Sequence, residues 1–471
     1  MMQTLPTLHT LTSLQKISSL QTDDHNISIP FRIALPDGSE LLCTDMLRLL
    51  PGKRMVMRAE CSGSACKNNV VLTKLFFDTR NLQKELDGFA LLQKTGTATP
   101  ALLSSFRVEQ GGVCLYQFIE NAQPLDALWQ QSGAAKKTAL LEKLLPALQQ
   151  CYQQQVLQRD LHLGNFLLQD EKLFMLDPAS FTTFSNDTEQ QANLALLLAQ
   201  LPFADWQPAL EKFQSIFPFT VNSDLTKLAQ QQWHQRQKNY LQKIFRECSD
   251  VADLSNGSLR VLCRRYALSE TLTTRLHDPQ SLIEGATILK NGNSAKVFLT
   301  EIDGKKLVVK QYINKDWLRK IRRAFRRSRA ARSWYFSHAF SFAGIRVPAP
   351  VALIEQKTGP FVTSAWFISE YSEGKDLLTG WSEREPNVEE LSCIHSLFLS
   401  LQIIRSSHGD MKATNLISNG ARISLIDYDG AQEYSSQSSL ARALAQDKQR
   451  FLQNWADNVA LQKKLTELLA V

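Results

Sequence analysis

The sequence predicts an α+β protein built from two copies of one unit, each opening with antiparallel strands and continuing into helices. Three observations predict it. A set of polar residues recurs at one spacing in two distant segments, a lysine-bearing strand precedes each copy, and a helix with one apolar face leads into each copy.

The recurring segments are QRDLHLGNFLLQDEKLFMLDPASF, residues 158–181, and HGDMKATNLISNGARISLIDYDGA, residues 408–431. Asp160 is followed five residues on by Asn165, and Asp410 by Asn415. Twelve residues after each Asn stands a second Asp, Asp177 and Asp427, closing the apolar runs KLFMLD and ISLID. Two unrelated acidic loops would not share three positions and the apolar run behind them.

The elements follow in chain order. RLLPGKRMVMRAE reads as a hairpin turning at Pro51-Gly52, and NVVLTKLFF as a strand carrying Lys74. TALLEKLLPALQQCYQQ places Leu141, Leu144, Leu145, Leu148 and Tyr152 on one helical face. In the second half ATILKNGNSAKVFLTEIDG turns at Asn291-Gly292-Asn293-Ser294, KKLVVKQY carries Lys310, and NVEELSCIHSLFLSLQII repeats the helical stripe with Leu391, Ile394, Phe398 and Leu401. The expected organisation is a first domain over 1–250, a helical connector over 251–285 and a compact second domain over 286–471, with WHQRQKNYLQKIFRECSDVADL closing the first half.

These residue types suit phosphoryl transfer, which asks a protein to position groups and neutralise charge. A lysine holds the nonreacting phosphates, one Asp orients or deprotonates the acceptor hydroxyl, and an Asn and a second Asp offer hard oxygens to Mg²⁺. The first half supplies Lys74, Asp160, Asn165 and Asp177; the second supplies Lys310, Asp410, Asn415 and Asp427. Gly52 in one hairpin, and Gly292, Asn293 and Ser294 in the other, are the expected phosphate-loop residues. The implied cofactors are ATP and Mg²⁺.

The arrangement resembles the protein-kinase-like fold in two tandem copies, each bilobal, with an antiparallel sheet and helix ahead of a mostly helical lobe. Asp177-Pro178-Ala179 and Asp427-Tyr428-Asp429 take the place of that fold's Asp-Phe-Gly. The resemblance implies a helix glutamate beside the lysine. NLQKELDGFALLQ offers Glu85 to Lys74, but no Glu lies between Glu301 and Glu355, where Ser333 and Trp334 occupy the region a partner of Lys310 would need. Neither half has an Ala-Pro-Glu, and DLHLGN has the Asp-x-His-x-Gly-Asn form of small-molecule kinases. LLPGKR, QRDLHLGNFLL, YLQKIFRECSD, AGIRVPAP and HGDMKATNL together resemble the bacterial lipopolysaccharide core-sugar kinases, the InaA/WaaP-like group. That resemblance implies phosphorylation of heptose or Kdo in the inner core, at the cytoplasmic face of the inner membrane. The alternatives are a kinase of another small molecule or of proteins, and a scaffold in which one or both halves are pseudokinases.

Composition excludes wholesale disorder: 44% of the 471 residues are hydrophobic and 21% charged. The net charge of +7 is modest, but KDWLRKIRRAFRRSRAAR, residues 315–332, sets nine Lys or Arg against one Asp. With Leu318, Ile321 and Phe325 on one face, it reads as a basic helix for an anionic membrane surface or a phosphorylated glycolipid, and no nucleic acid is expected as partner. The eight cysteines form no C-x-x-C, which points to thiols in a reducing compartment. No stretch approaches the ~20 apolar residues that span a bilayer. The expected place is the cytoplasm, peripheral on the membrane.

Overall fold

The computed structural model describes residues 8–10, 29–50, 52–64, 70–108, 110–217, 225–292, 295–313, 327–359 and 361–470. The chain divides into two compact units, Met1–Leu201 with Asp205–Gln232, and Pro202–Ala204 with Trp233–Val471.

In the first unit alternating side chains build a seven-stranded sheet from β1 (Leu8–Thr10), β2 (Phe31–Ala34), β3 (Glu40–Leu50), β4 (Arg54–Ser62), β5 (Val70–Phe76), β6 (Leu102–Val108) and β7 (Gly111–Gln117). Its order is β1-β2-β3-β4-β5-β7-β6. Period-two alternation gives the sheet two different faces. Ile33, Leu41, Met55, Met57, Val71, Leu75 and Val113 form one apolar core. On β5 the odd residue out is Lys74, paired across the sheet with Val56 and Cys114. It shares its face with Phe76, Cys114 and Tyr116, the face that packs on Leu82 and Phe89 of the Thr79–Thr95 helix.

That helix starts where the Asp78 side chain accepts from the Asn81 N–H and stops at Gly96, whose φ of 73° ends it in a left-handed turn. Gly88 lets it approach Pro178, since a Cβ there would lie 1.8 Å from the Pro178 carbonyl oxygen. The sheet-and-helix lobe is thereby set against the second signature Asp. The predicted stripe of Leu141, Leu144, Leu145, Leu148 and Tyr152 lies on the Ala134–Gln153 helix and is buried. Short strands frame the polar loop: β8 (Gln123–Pro124), β10 (Phe166–Gln169) and β11 (Lys172–Met175) in one sheet, β9 (Val156–Gln158) and β12 (Phe181–Thr183) in another.

The second unit repeats the plan with β13 (Val251–Asp253), β14 (Leu259–Arg264), β15 (Thr287–Asn291), β16 (Ala295–Ile302), β17 (Lys305–Ile313), β18 (Pro350–Thr358) and β19 (Phe361–Glu370), in the order β13-β14-β18-β19-β17-β16-β15. The strand orders β3-β4-β5-β7-β6 and β15-β16-β17-β19-β18 share one connectivity, with a lysine on the middle strand each time. Between β17 and β18 the Arg329–Phe342 helix packs on the sheet.

The expected helical connector over 251–285 is corrected. It contributes two strands as well as the Glu270–His277 helix, and β14 pairs with β18 to widen the second sheet. LRVLCR alternates and buries Val261 and Cys263 in the sheet's core, which a helical reading of that run would not do. The helix expected to close the first half runs over Leu225–Lys243, and the second unit begins at its Trp233. Cys61 is disulfide-bonded, against the expectation of thiols throughout, whereas Cys43, Cys114, Cys151, Cys248, Cys263 and Cys393 are free. Among the described residues no helix is long and apolar enough to cross a membrane.

Candidate functional site

Each polar loop is tied by the same hydrogen bonds. The Asn165 amide donates to the Asp160 carbonyl at 2.7 Å, and Asn415 to the Asp410 carbonyl at 2.8 Å. The carbonyls of these Asn residues accept from Leu176 N (2.8 Å) and Ile426 N (2.9 Å). Gln158 Nε2 donates to the Leu176 carbonyl at 2.8 Å, and His408 Nε2 reaches the Ile426 carbonyl at 3.0 Å. The second Asp is left-handed in both: Asp177 at φ 56°, ψ 63° and Asp427 at φ 58°, ψ 51°. A non-glycine residue in that region is uncommon, and the strain aims the carboxylate away from its own strand. Burial holds the His408 imidazole below its ordinary range, so it is neutral with Nε2 donating.

The loops differ in what anchors them from below. Asn193 donates to the Gln158 carbonyl at 2.8 Å and accepts from Tyr152 OH at 2.8 Å. In the second unit a carboxylate does this work: Asp447 accepts from His408 N at 2.7 Å and Gly409 N at 3.0 Å. Gly409 has φ of 80°, and a Cβ there would lie 2.5 Å from the Gly430 carbonyl oxygen.

The lysines are held by carboxylates from different places. Lys74 Nζ lies 2.6 Å from Glu85 Oε1, both buried, and Tyr116 OH donates to the same oxygen at 2.9 Å. Glu85 is thus the carboxylate paired with Lys74. Lys310 Nζ lies 2.8 Å from Asp427 Oδ1 and 4.0 Å from Asp429 Oδ1. Asp429 accepts from Tyr312 OH and Ser333 Oγ, each at 2.7 Å, and from Arg329 at 2.8 Å. No helix glutamate stands beside Lys310; Asp429, two residues after Asp427, is the further carboxylate near it. In the first unit the extra acid is on the helix, at Glu85, and Ala179 follows Asp177 by two; in the second the helix offers Ser333, and Asp429 stands where Ala179 would.

The signature acids also sit in unlike surroundings. The Asp177 carboxylate is occupied by Arg54, with Nη1 at 3.0 Å from Oδ1. The Asp160 side chain is 72% exposed, and its nearest cation candidate is His162 Nε2 at 3.8 Å. Asp410 lies between Lys412 Nζ at 2.9 Å and Arg450 Nε at 2.6 Å. Burial pushes its carboxyl up, but these two partners outweigh it and hold Asp410 below the ordinary range. At Asp427 burial is likewise overcome by the Lys310 charge. Both acids are therefore ionised at neutral pH.

In the second unit Lys310, Asn415, Asp427 and Asp429, but not Asp410, line one cavity of about 470 Å³. Gly292 of the β15–β16 turn and Lys310 stand above, Asn415 and Asp427 below, and Val297, Val308, Phe367 and Ile426 supply apolar walls. A slot that is apolar at one end and carries a lysine, an amide and a carboxylate at the other fits a magnesium nucleotide. Among the described residues no three His, Cys, Asp or Glu cluster as a metal cage, and Mg²⁺ ordinarily takes one or two carboxylates with phosphates and water. Gly52 turns between β3 and β4 at φ 68°. Asn293 and Ser294 lie outside the described residues, as does 314–326 of the basic run.

Sequence reasoning missed Arg54, Lys412 and Arg450, and it named Asp429 without its bonds to Ser333 and Arg329. Lys412 was discoverable, since it stands two residues after Asp410 as His162 does after Asp160. Arg450 comes from a helix 40 residues on, and nothing local marks it.

Residues 279–467 match the lipopolysaccharide kinase (Kdo/WaaP) family. Among solved structures one similar chain is that described as WaaP in complex with acyl carrier protein, at 18% identity and a TM-score of 0.28, covering 41% of this chain and 80% of that one. No curated protein matches the sequence.

Proposed function

From the match of residues 279–467 to the lipopolysaccharide kinase (Kdo/WaaP) family, which implies a phosphotransferase acting on a sugar hydroxyl, we propose that the second unit phosphorylates heptose or Kdo in the lipopolysaccharide inner core. The observation that carries this reading is the convergence of Lys310, Asn415 and Asp427 on one cavity, with Asp410 held ionised on the same loop as Asn415. Bound Mg-ATP supplies the phosphoryl group. Lys310 holds the nonreacting phosphates, and Asp429 keeps that lysine in place through its bonds to Tyr312, Ser333 and Arg329. Asn415 and Asp427 would hold the metal. Asp410 orients the sugar hydroxyl and takes its proton, and Lys412, 2.9 Å away, faces the charge that develops there.

The first unit is assigned a supporting role. Asp177 is met by Arg54 and not by the signature lysine, which meets Asp427 in the second unit, and Asp160 lacks the paired cations that fix Asp410. The acceptor lies at a membrane, and the six cations of 315–326 favour an anionic surface by about 1 kcal/mol each at close range. We place the enzyme at the cytoplasmic face of the inner membrane, bound peripherally.

The test is phosphate analysis of lipopolysaccharide from cells with and without the gene, followed by transfer from labelled ATP to isolated core oligosaccharide. Loss of one inner-core phosphate, restored by the purified protein, is expected. Unchanged core phosphate together with no transfer in vitro would overturn the assignment.

A further inference from the structure

The Arg329–Phe342 helix has two faces with different business. Arg329 and Ser333, one turn apart, bind Asp429 beside Lys310. Residues two further along a helix point some 200° away. Ala331 and Tyr335 accordingly line a different cavity of about 830 Å³, in the same unit. Its other walls come from the Leu225–Lys243 helix, from β14, β18 and β19, and from the segments before and after the Asp410 loop.

This cavity is built for an anion. Five Lys or Arg line it against two Glu. The two carboxylates are already satisfied: Glu355 by Arg260 at 3.1 Å and Ser328 at 2.6 Å, Glu433 by Tyr335 OH at 2.7 Å. Lys238 and Lys357 make no ion pair among the described residues, and both side chains are exposed. The Arg327 guanidinium lies 4.8 and 4.3 Å from the Phe245 and Tyr335 ring centroids and lines the same cavity. Gln237 lines the cavity at 7% exposure with no hydrogen bond among the described residues. Its amide is therefore open to a polar group in the cavity.

Unpaired cations select a phosphate, whereas aromatic faces and an amide suit a polar ring bearing it. We propose that this cavity is a second binding site, for a phosphorylated sugar, and that its occupancy reaches Lys310 through the Arg329–Phe342 helix and Asp429. The binding stands by itself; the coupling rests on the nucleotide reading of the other cavity. The shared chemistry is a phosphate monoester on a sugar, which exists free or as the head group of a lipid.

The test uses the full chain and direct binding. Glucose 1-phosphate is titrated into wild type, Lys310→Met and Lys238→Glu/Lys357→Glu, and the same head group on an alkyl chain is titrated in detergent micelles. The double variant changes exposed side chains only, and circular dichroism checks its fold. Wild type and Lys310→Met should bind alike, the double variant at least tenfold more weakly, and saturating probe should change wild-type affinity for Mg-ATP at least threefold. Tighter binding of the micellar probe identifies the lipid-borne source, and equal binding the free one. No binding of either probe, binding unchanged in the double variant, or binding lost in Lys310→Met would overturn the site. An Mg-ATP affinity indifferent to the probe overturns the coupling. A wild type that binds the probe but no Mg-ATP refutes the kinase reading and leaves the second site standing.

Discussion

Asp429 is where the second unit departs most from what its sequence suggested. Lys310 has no glutamate on the neighbouring helix, yet Tyr312, Ser333 and Arg329 together fix an aspartate 4.0 Å from it. Asp429→Ala should raise the KM for ATP on the order of tenfold, about 1.4 kcal/mol, because the lysine loses the group that holds it between phosphates. Adding Ser333→Glu restores a helix carboxylate of the kind Glu85 provides in the first unit and should recover part of that loss; steady-state kinetics on the single and double variants check both. A double variant no better than the single one would mean Asp429 acts only by anchoring Arg329. Asp410→Asn should behave differently, with nucleotide affinity kept and turnover down roughly 100-fold or more, since its charge faces the acceptor. Calorimetry with a nonhydrolysable nucleotide separates the two effects. At this scale the spacing of Asp, Asn and Asp was legible because one loop carries it. Arg54 and Arg450 were not, because each meets its acid across more than a third as many residues as a small domain contains, and sequence alone gives no sign of contacts that long-range.

Hairpins, lysine strands and apolar helix faces were readable as elements, since each has a local period or turn residue. The segment 251–285 was not. Its β14 is short, and it joins the sheet by pairing with β18 across roughly a hundred positions as well as with β13. Two element-scale predictions follow from close contacts. Gly88→Ala should destabilise the first unit by about 1–3 kcal/mol despite alanine's better helix propensity, because the new Cβ meets the Pro178 carbonyl oxygen; thermal denaturation of the variant measures it. The Val388–Ile403 helix begins in a capping box, with Asn387 and Glu390 exchanging side-chain and backbone bonds. Burial pushes the Glu390 carboxyl up, but Arg384, Ser418 and the Asn387 N–H outweigh it and hold it at about 2. A depressed folded value stabilises above the unfolded one and is lost as pH falls through the folded one. The carboxylate's contribution, on the order of 3 kcal/mol, should be full at pH 7 and fade between about 4.5 and 2. Glu390→Gln should thus cost more stability at pH 7 than near pH 2, measured by denaturant titration at both.

Taken as a molecule, the chain holds two units with one strand connectivity and one loop geometry but unequal chemistry. The first keeps the Lys74–Glu85 pair and sets Arg54 on Asp177; the second sets Lys412 and Arg450 on Asp410, Lys310 on Asp427, and opens a cavity onto Lys310 and Asp427. The shared loop spacing was visible in the sequence, because each loop carries it within a short run of residues. The inequality was not, because it depends on which distant cation each acid meets. The central claim is that phosphate transfer belongs to the second unit, and the direct measurement is the rate of transfer from ATP to isolated core oligosaccharide by wild type, Asp160→Ala and Asp410→Ala. Asp410→Ala should lose roughly 100-fold or more while Asp160→Ala stays within about threefold of wild type; equal losses, or a loss confined to Asp160→Ala, would contradict it.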